Sequence, residues 1–176
     1  MCQSISQSAA APAQSAAGIS RQERILLWTM RAWVIGITQK IPVEEQIQDA
    51  FNRIGAPDAT GQLYGFMWIL SQGASRMLNV DCVCQTRISR DERLLLDVLA
   101  LSQHKRTFEA MIMLRSLVRR GSAVAAAESA MKVMSSLSAA GFTLPVRSME
   151  TTRHAFPTQE FRHGLFGEPD TVVTYH

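Results

Sequence analysis

Apolar residues recur at helical spacing in six segments of the chain between residues 20 and 140. In the second segment, Val43, Ile47 and Phe51 lie four residues apart and therefore share one face of an α-helix. Polar residues, glycine or proline separate each segment from the next. The pattern predicts an all-α fold, a single-domain bundle of about six helices at residues 20–39, 42–54, 59–78, 89–103, 107–120 and 122–140.

Two of these helices begin with the same local signal. Ser20 is followed three residues later by Glu23, and Ser89 is followed in the same way by Glu92. In such a capping box the serine hydroxyl accepts a hydrogen bond from the amide of the glutamate, and the glutamate side chain accepts one from the amide of the serine. We therefore expect the first and fourth helices to start at these serines.

The residues around the two signals are also alike. The segments "ISRQERILL" (19–27) and "ISRDERLLL" (88–96) match at seven of nine positions. Each opens a block of three predicted helices, so an internal duplication would give two related halves, with Gly55 after the second helix corresponding to Gly121 after the fifth. The alternative is that a capping box and an amphipathic face select the same residues twice. The sequence leaves both interpretations open.

Small residues mark two helices as close neighbours of other elements. Gly61, Gly65 and Gly73 recur along the third helix, and alanine dominates the apolar stripe of the sixth. Small side chains allow a neighbouring backbone to approach closely. Gly141 is expected to end the sixth helix, and Pro145 blocks its continuation.

Composition changes at both ends of the chain. Residues 1–18 are rich in Ala, Ser and Gln and lack the features of a secretory signal, so we expect a disordered N-terminal tail. Residues 19–141 form the predicted helical bundle domain. The helical period is lost over residues 142–176, which predicts an irregular C-terminal arm with apolar anchors at Phe142, Leu144, Phe156, Phe161 and Phe166.

The overall composition is that of a folded protein. The 176 residues are 47% hydrophobic and 19% charged, which is too apolar for an intrinsically disordered chain. The apolar run at 25–37 contains Arg31 and is shorter than the ~18 residues of a membrane span, so none is expected. Three cysteines without an export signal indicate reduced thiols and a cytoplasmic location. The net charge of +3 gives only a weak overall field.

The cysteine pair in "DCVC" is the first candidate site. Cys82 and Cys84 supply thiolates, which zinc binds when further ligands converge, and His104 is the candidate third ligand. However, zinc pairs usually have at least two intervening residues, and a disulfide across one residue is strained. Arginines and a helix start follow the pair, and such surroundings lower the pKa of a thiol, so a reactive thiol is one interpretation. Three interpretations stay open: an incidental linker pair, a redox-active pair and a metal site.

A second candidate site lies on the last two predicted helices. Methionine-rich apolar faces adapt to varied partners, so a groove for a partner helix or an apolar ligand is one interpretation. Ordinary core packing is the other. The four residues are Met111, Met113, Met131 and Met134.

Common catalytic and nucleotide-binding motifs are absent: the sequence contains no GxGxxG, P-loop, HExxH or GxSxG. The segment "TRHAFPTQEFRHG", with His154 and His163, alternates basic and aromatic residues as nucleic-acid binders do, but neighbouring acids offset its charge. A helix–turn–helix at "VRRGSA" would present only Ala, Ser and Lys132 to the bases. A nucleic acid is therefore not the expected partner.

At "ERILLWTMRAWVIGI", and again where "CVC" runs into "SRDERLLLDVLAL", the chain resembles small all-helical proteins of unknown function from alphaproteobacteria. The resemblance covers about residues 20–140 and implies a bacterial origin and a helical bundle, but no activity or cofactor. We expect a non-enzymatic helical interaction or regulatory module with a protein partner or as a homo-oligomer. The alternatives are a thiol-redox or metal-binding protein using Cys82 and Cys84, and, third, a nucleic-acid-binding regulator.

Overall fold

The computed structural model describes residues 14–15 and 18–147, and across them the fold is all-α. These residues form six helices and one antiparallel pair of two-residue strands, and none of the helices is long and apolar enough to cross a membrane. The elements in chain order are β1 (Gln14–Ser15), α1 (Arg21–Gln39), α2 (Glu44–Arg53), α3 (Ala59–Gly73), β2 (Arg87–Ile88), α4 (Arg90–Gln103), α5 (Thr107–Leu114) and α6 (Arg120–Ala139).

Both predicted capping boxes are present. The Glu23 amide donates to Ser20 Oγ at 3.1 Å, and the Ser20 amide donates to Glu23 Oε2 at 2.7 Å. The same pair of bonds joins Ser89 and Glu92 at 3.2 and 2.8 Å. The starts of α1 and α4 are therefore confirmed.

The helices enclose one apolar core. α3 packs most extensively against α6, α4 packs against α5 and α6, and α1 contacts α2, α3 and α4. The predicted alanine stripe of α6 is buried. The largest fully buried side chains come from several helices and include Leu26, Met30, Phe51, Phe66 and Leu99.

One of the three glycines of α3 permits a close helix approach. A Cβ at Gly73 would lie 2.5 Å from the Cβ of Ser122 on α6, a distance that real side chains do not tolerate. A Cβ at Gly65 would make ordinary contact with Ser129 Oγ at 3.9 Å, and one at Gly61 would meet no described atom within 4 Å. Close packing of α3 on α6 therefore depends on the last glycine.

Three predicted helix boundaries are wrong. α3 ends at Gly73 rather than at residue 78, and α5 ends at Leu114 rather than at residue 120. Gly121, expected to end the fifth helix, lies inside α6, which begins at Arg120.

The physical reason is a pairing between the segments that follow α3 and α5. Ala74 and Val118 form an isolated antiparallel bridge, and the Ser75 amide donates to the Leu117 carbonyl at 3.0 Å. These hydrogen bonds use backbone groups that continued helices would have occupied. The two helices therefore end where their chains meet.

The packing of the two three-helix halves neither establishes nor excludes the internal duplication. The strongest contacts between the two three-helix halves join α3 to α6 and α1 to α4, which are corresponding helices. Gly55 follows α2 with a φ of 74°, whereas Gly121 is helical, so the expected correspondence of these two glycines is wrong. The duplication stays a prediction.

Strand pairing reaches into the segment predicted to be an N-terminal tail. Gln14 lies opposite Ile88, and Ser15 lies opposite Arg87. Two-residue strands carry no detectable period, which is why the sequence did not indicate them. Residues 1–13 and 16–17 of the predicted tail lie outside the described residues.

The first part of the predicted C-terminal arm lies on the bundle. Phe142 and Leu144 are buried, as predicted for anchors. The Gln103 side chain binds both of them, because its Nε2 donates to the Phe142 carbonyl at 2.6 Å and its Oε1 accepts from the Leu144 amide at 2.7 Å. The other predicted anchors, Phe156, Phe161 and Phe166, lie outside the described residues.

Candidate functional site

The cysteine pair lies on a turn between α3 and β2, which we call the cysteine turn (residues 81–85). The Gln85 amide donates to the Cys82 carbonyl at 3.0 Å and closes the turn. Cys82 is half-buried, Cys84 is exposed, and no disulfide joins them. Their Sγ atoms are 2.9 Å apart. The turn therefore holds two thiols side by side at the surface.

A buried ion pair between α1 and α4 fixes the cysteine turn. Arg31 Nε and Nη2 donate to the two carboxylate oxygens of Glu92 at 2.7 and 2.9 Å, and the side chains are 3% and 0% exposed. Arg31 also donates to the carbonyls of Gln85 and Arg87, each at 2.7 Å. Glu92 accepts from the Asp81 amide at 2.9 Å. Both ends of the turn are thus hydrogen-bonded to one ion pair.

The electrostatics of this pair extend to the turn. Burial disfavours the charge of Arg31, but the hydrogen bond and charge of Glu92 outweigh burial and raise the pKa of Arg31. Electrostatic interactions with Asp81 and with Cys82 act in the same direction. Cys82 therefore lies within electrostatic reach of the guanidinium. Burial, followed by the charge of Glu92, raises the pKa of the Asp81 carboxyl.

Sequence reasoning missed the role of Arg31. The capping box accounts for Glu92 from local sequence alone, and Arg31 served only as an argument against a membrane span. The feature of the sequence that indicates this role is the position of Arg31 within the apolar run 25–37. A charged residue on a buried helix needs a buried partner of opposite sign.

A second buried charge cluster lies beside the start of α1. Arg147 Nη1 is 2.5 Å from Glu23 Oε1 and 3.4 Å from Asp97 Oδ1, and Arg93 Nη1 is 3.4 Å from the same Glu23 oxygen. Among the described residues, two buried atoms of the cluster, Asp97 Oδ2 and Arg93 Nε, find no hydrogen-bond partner. The cluster ties the described end of the C-terminal arm to α1 and α4.

The pKa values of the two carboxylates of this cluster are shifted in opposite directions. Burial raises the pKa of Asp97, and the nearby charges of Arg93 and Arg147 do not overcome it. Burial also acts on Glu23, but hydrogen bonds from the Arg147 side chain and the Ser20 amide outweigh it and lower the pKa of Glu23.

The predicted third metal ligand does not lie near the cysteines. His104 caps the C-terminal end of α4, whereas the cysteine turn precedes the N-terminal end. A helix of 14 residues, as α4 is, spans about 21 Å. His104 Nε2 lies 3.3 Å from the Leu144 carbonyl oxygen.

No metal site is assembled in the part of the chain that the structure describes. Among those residues, no group of three or more His, Cys, Asp and Glu side chains could hold a metal ion. His154 and His163 lie outside the described residues. Zinc binding stays a prediction, for which residues 18–147 supply the two thiols and no third ligand.

The four methionines of the last two helices differ in environment. Met134 is 1% exposed and belongs to the core. Met111 and Met113 are half-buried and pack against the core, and Met131 Sδ accepts a hydrogen bond from Thr107 at 3.0 Å. Met134 is therefore a core residue. A partner groove formed by Met111, Met113 and Met131 stays a prediction.

An apolar groove of about 300 Å³ opens between the C-terminal halves of α1 and α3. We call it the α1–α3 groove. Its walls include Trp33 and Ile37 from α1, Met67 and Leu70 from α3, and Met77 from the segment that leads to the cysteine turn. It is lined by methionines, but not by those that the sequence indicated.

Comparison with known proteins assigns no family. No family model, curated protein or solved structure matches the chain.

Proposed function

We propose that the protein is a non-enzymatic interaction module that associates with a second copy of itself through the α1–α3 groove. The observation that carries the proposal is the exposure of large apolar side chains there. Met77 is 92% exposed and Ile37 is 55% exposed, and both line the groove. Apolar side chains grouped in this way around a groove are typical of interaction surfaces.

The charges at the groove favour a second copy over a charged partner. Among the described residues that line the groove, Arg76 is the one charged side chain. Its Nη1 and Nη2 atoms donate to the two carboxylate oxygens of Asp91 at 2.7 and 2.6 Å, so its charge is already neutralised. Two copies of this face would therefore meet without like-charge repulsion.

The shape of the surface also suits self-association. In a twofold dimer the same patch contacts itself, so a protrusion on one copy must fit a depression on the other. Met77 protrudes at the edge of the groove and is flexible, so each copy can insert this side chain into the groove of its partner. A stable interface buries about 800 Å² per partner. The contact must therefore extend beyond the groove onto the surface around it.

The oligomeric state of the purified chain tests the proposal. Sedimentation equilibrium should show a concentration-dependent dimer for the wild type, and Met77→Glu should shift the chain to the monomer because it places a charge in the contact. The substitution leaves the fold intact, since the side chain is 92% exposed. Phe108→Glu is the matched control: Phe108 is an exposed apolar residue of α5, and it does not line the groove.

Three results would overturn the assignment to a second copy at this groove. One is a wild-type chain that stays monomeric at every concentration. Another is a dimer that survives Met77→Glu, whether or not it dissociates with Phe108→Glu. A photoreactive residue at Ser71, which lines the groove, distinguishes occupants in the native host. Cross-linking from this position to a different protein would identify that protein, and not a second copy, as the occupant of the groove.

A further inference from the structure

We infer that Cys82 and Cys84 form a dithiol–disulfide exchange site that reacts with low-molecular-weight disulfides such as oxidised glutathione. The inference is independent of the proposed self-association. Its first support is distance, because the two Sγ atoms lie 2.9 Å apart and a disulfide bond is ~2.05 Å long. A small movement within the turn therefore brings the sulfurs to bonding distance.

The frame around the turn keeps the thiols together. Arg31 binds the carbonyls of Gln85 and Arg87 on one side, and Glu92 binds the Asp81 amide on the other. The ion pair itself is buried, so the two ends of the turn are held by the core of the bundle. A second thiol held beside the first reacts as an intramolecular group, which makes ring closure fast relative to reaction with another molecule.

The exposure of the two thiols indicates which of them reacts first. Cys84 is exposed and can be reached by a small disulfide, whereas Cys82 is half-buried and lies within electrostatic reach of Arg31. The Cys84 thiolate attacks one sulfur of oxidised glutathione, whose S–S bond breaks. One glutathione leaves as a thiolate and takes up the proton that Cys84 lost, and the other stays bound to Cys84.

The second step closes the ring. The Cys82 thiolate attacks the sulfur of Cys84, the mixed disulfide breaks, and the second glutathione leaves and takes up the proton that Cys82 lost. Two protein thiols are thereby oxidised, and one small disulfide is reduced to two thiols. Reduced glutathione reverses both steps.

The spacing of the pair suits exchange better than structural cross-linking. A disulfide across one intervening residue restrains a very short loop and therefore stabilises the fold little. It is also strained, and strained or exposed disulfides are the ones most readily reduced. A reversible exchange site needs a disulfide that is readily reduced and a fold that does not depend on that disulfide for its stability.

Intact-mass spectrometry after treatment with oxidised glutathione tests the inference. All variants carry Cys2→Ser, so that the third cysteine does not contribute. The chain with both Cys82 and Cys84 should lose two hydrogens and retain no glutathione. Cys82→Ser should accumulate one glutathione on Cys84, and Cys84→Ser should acquire its adduct about tenfold more slowly because Cys82 is less accessible.

Other outcomes would contradict the inference. If the chain with both cysteines kept a stable glutathione adduct, ring closure would not occur. If Cys84→Ser reacted as fast as Cys82→Ser, the assigned order would be wrong. Circular dichroism of each serine variant checks that the fold is retained, and reduced glutathione should restore the original mass of the oxidised chain.

Discussion

Arg31 on α1 donates two hydrogen bonds to the carboxylate of Glu92, which lies 61 residues further along the chain on α4. The same glutamate caps α4 through its bond to the Ser89 amide. One side chain therefore starts a helix, neutralises a buried cation and holds the segment that carries the cysteines. Loss of its charge should affect all three.

Glu92→Gln should destabilise the fold strongly. The substitution removes the one carboxylate that is hydrogen-bonded to the buried guanidinium of Arg31, among the described residues, and breaking a buried ion pair in this way typically costs about 3–5 kcal/mol. Urea unfolding measures the loss. Glu109→Gln is the matched control, because Glu109 pairs with Arg106 at the surface and its loss should change little. Equal midpoints for the two variants would mean that the buried pair contributes no stability.

Replacing each of the two cap serines by alanine should lower the stability of the fold by unequal amounts. Ser20→Ala removes one capping bond, which is worth about 0.5–2 kcal/mol. Ser89→Ala removes the equivalent bond and also the bond that its hydroxyl donates to the Asn79 carbonyl. We expect Ser89→Ala to be the more destabilising in thermal unfolding. A larger loss for Ser20→Ala would show that the bond to Asn79 contributes nothing.

Two glycines of α3 should respond oppositely to alanine. Gly73→Ala places a Cβ against Ser122, and such overpacking costs about 1–3 kcal/mol. Gly61→Ala adds a methyl group where no described atom lies within 4 Å, so the better helix propensity of alanine should stabilise the chain by about 0.5–1 kcal/mol. Denaturant midpoints decide this prediction, and a stabilised Gly73→Ala chain would refute it.

The pH dependence of stability should separate Glu23 from Asp97. The lowered pKa of Glu23 means that its contribution is present above the ordinary glutamate pKa and is lost as the pH falls through the lowered value. The destabilisation by Glu23→Gln should therefore shrink on acidification. Urea midpoints of wild type and variant, measured from neutral to acidic pH, test this expectation. A destabilisation that stays constant would contradict it.

Asp97 should show the reverse dependence. Its pKa is raised, so the folded chain holds the proton more tightly than the unfolded chain does. Stability is then lost as the pH rises from the ordinary aspartate pKa through the raised value. Asp97→Asn should gain stability relative to wild type over that range, measured in the same titration. A variant whose profile runs parallel to that of wild type would exclude this role.

Local signals in the sequence predicted local structure well. The capping boxes involve residues three apart, so the starts of α1 and α4 can be read directly from Ser20 and Ser89. The end of α5 could not be predicted in this way. It depends on the bridge between Ala74 and Val118, whose residues are far apart in sequence.

The same limit applies to the candidate sites. Residue types identified Cys82 and Cys84, but not the ion pair that holds their turn, because Arg31 and Glu92 become neighbours only when α1 packs on α4. Methionine content indicated apolar helix faces. It could not indicate which face would stay uncovered, and the structure leaves Met77 exposed while it buries Met134.

The two cap glutamates also determine what can fold alone. Glu23 on α1 is neutralised by Arg93 and Arg147, whereas Glu92 on α4 is neutralised by Arg31. Each three-helix half therefore borrows from the other the cation that its first glutamate requires. Separately expressed halves should fold only when they are mixed.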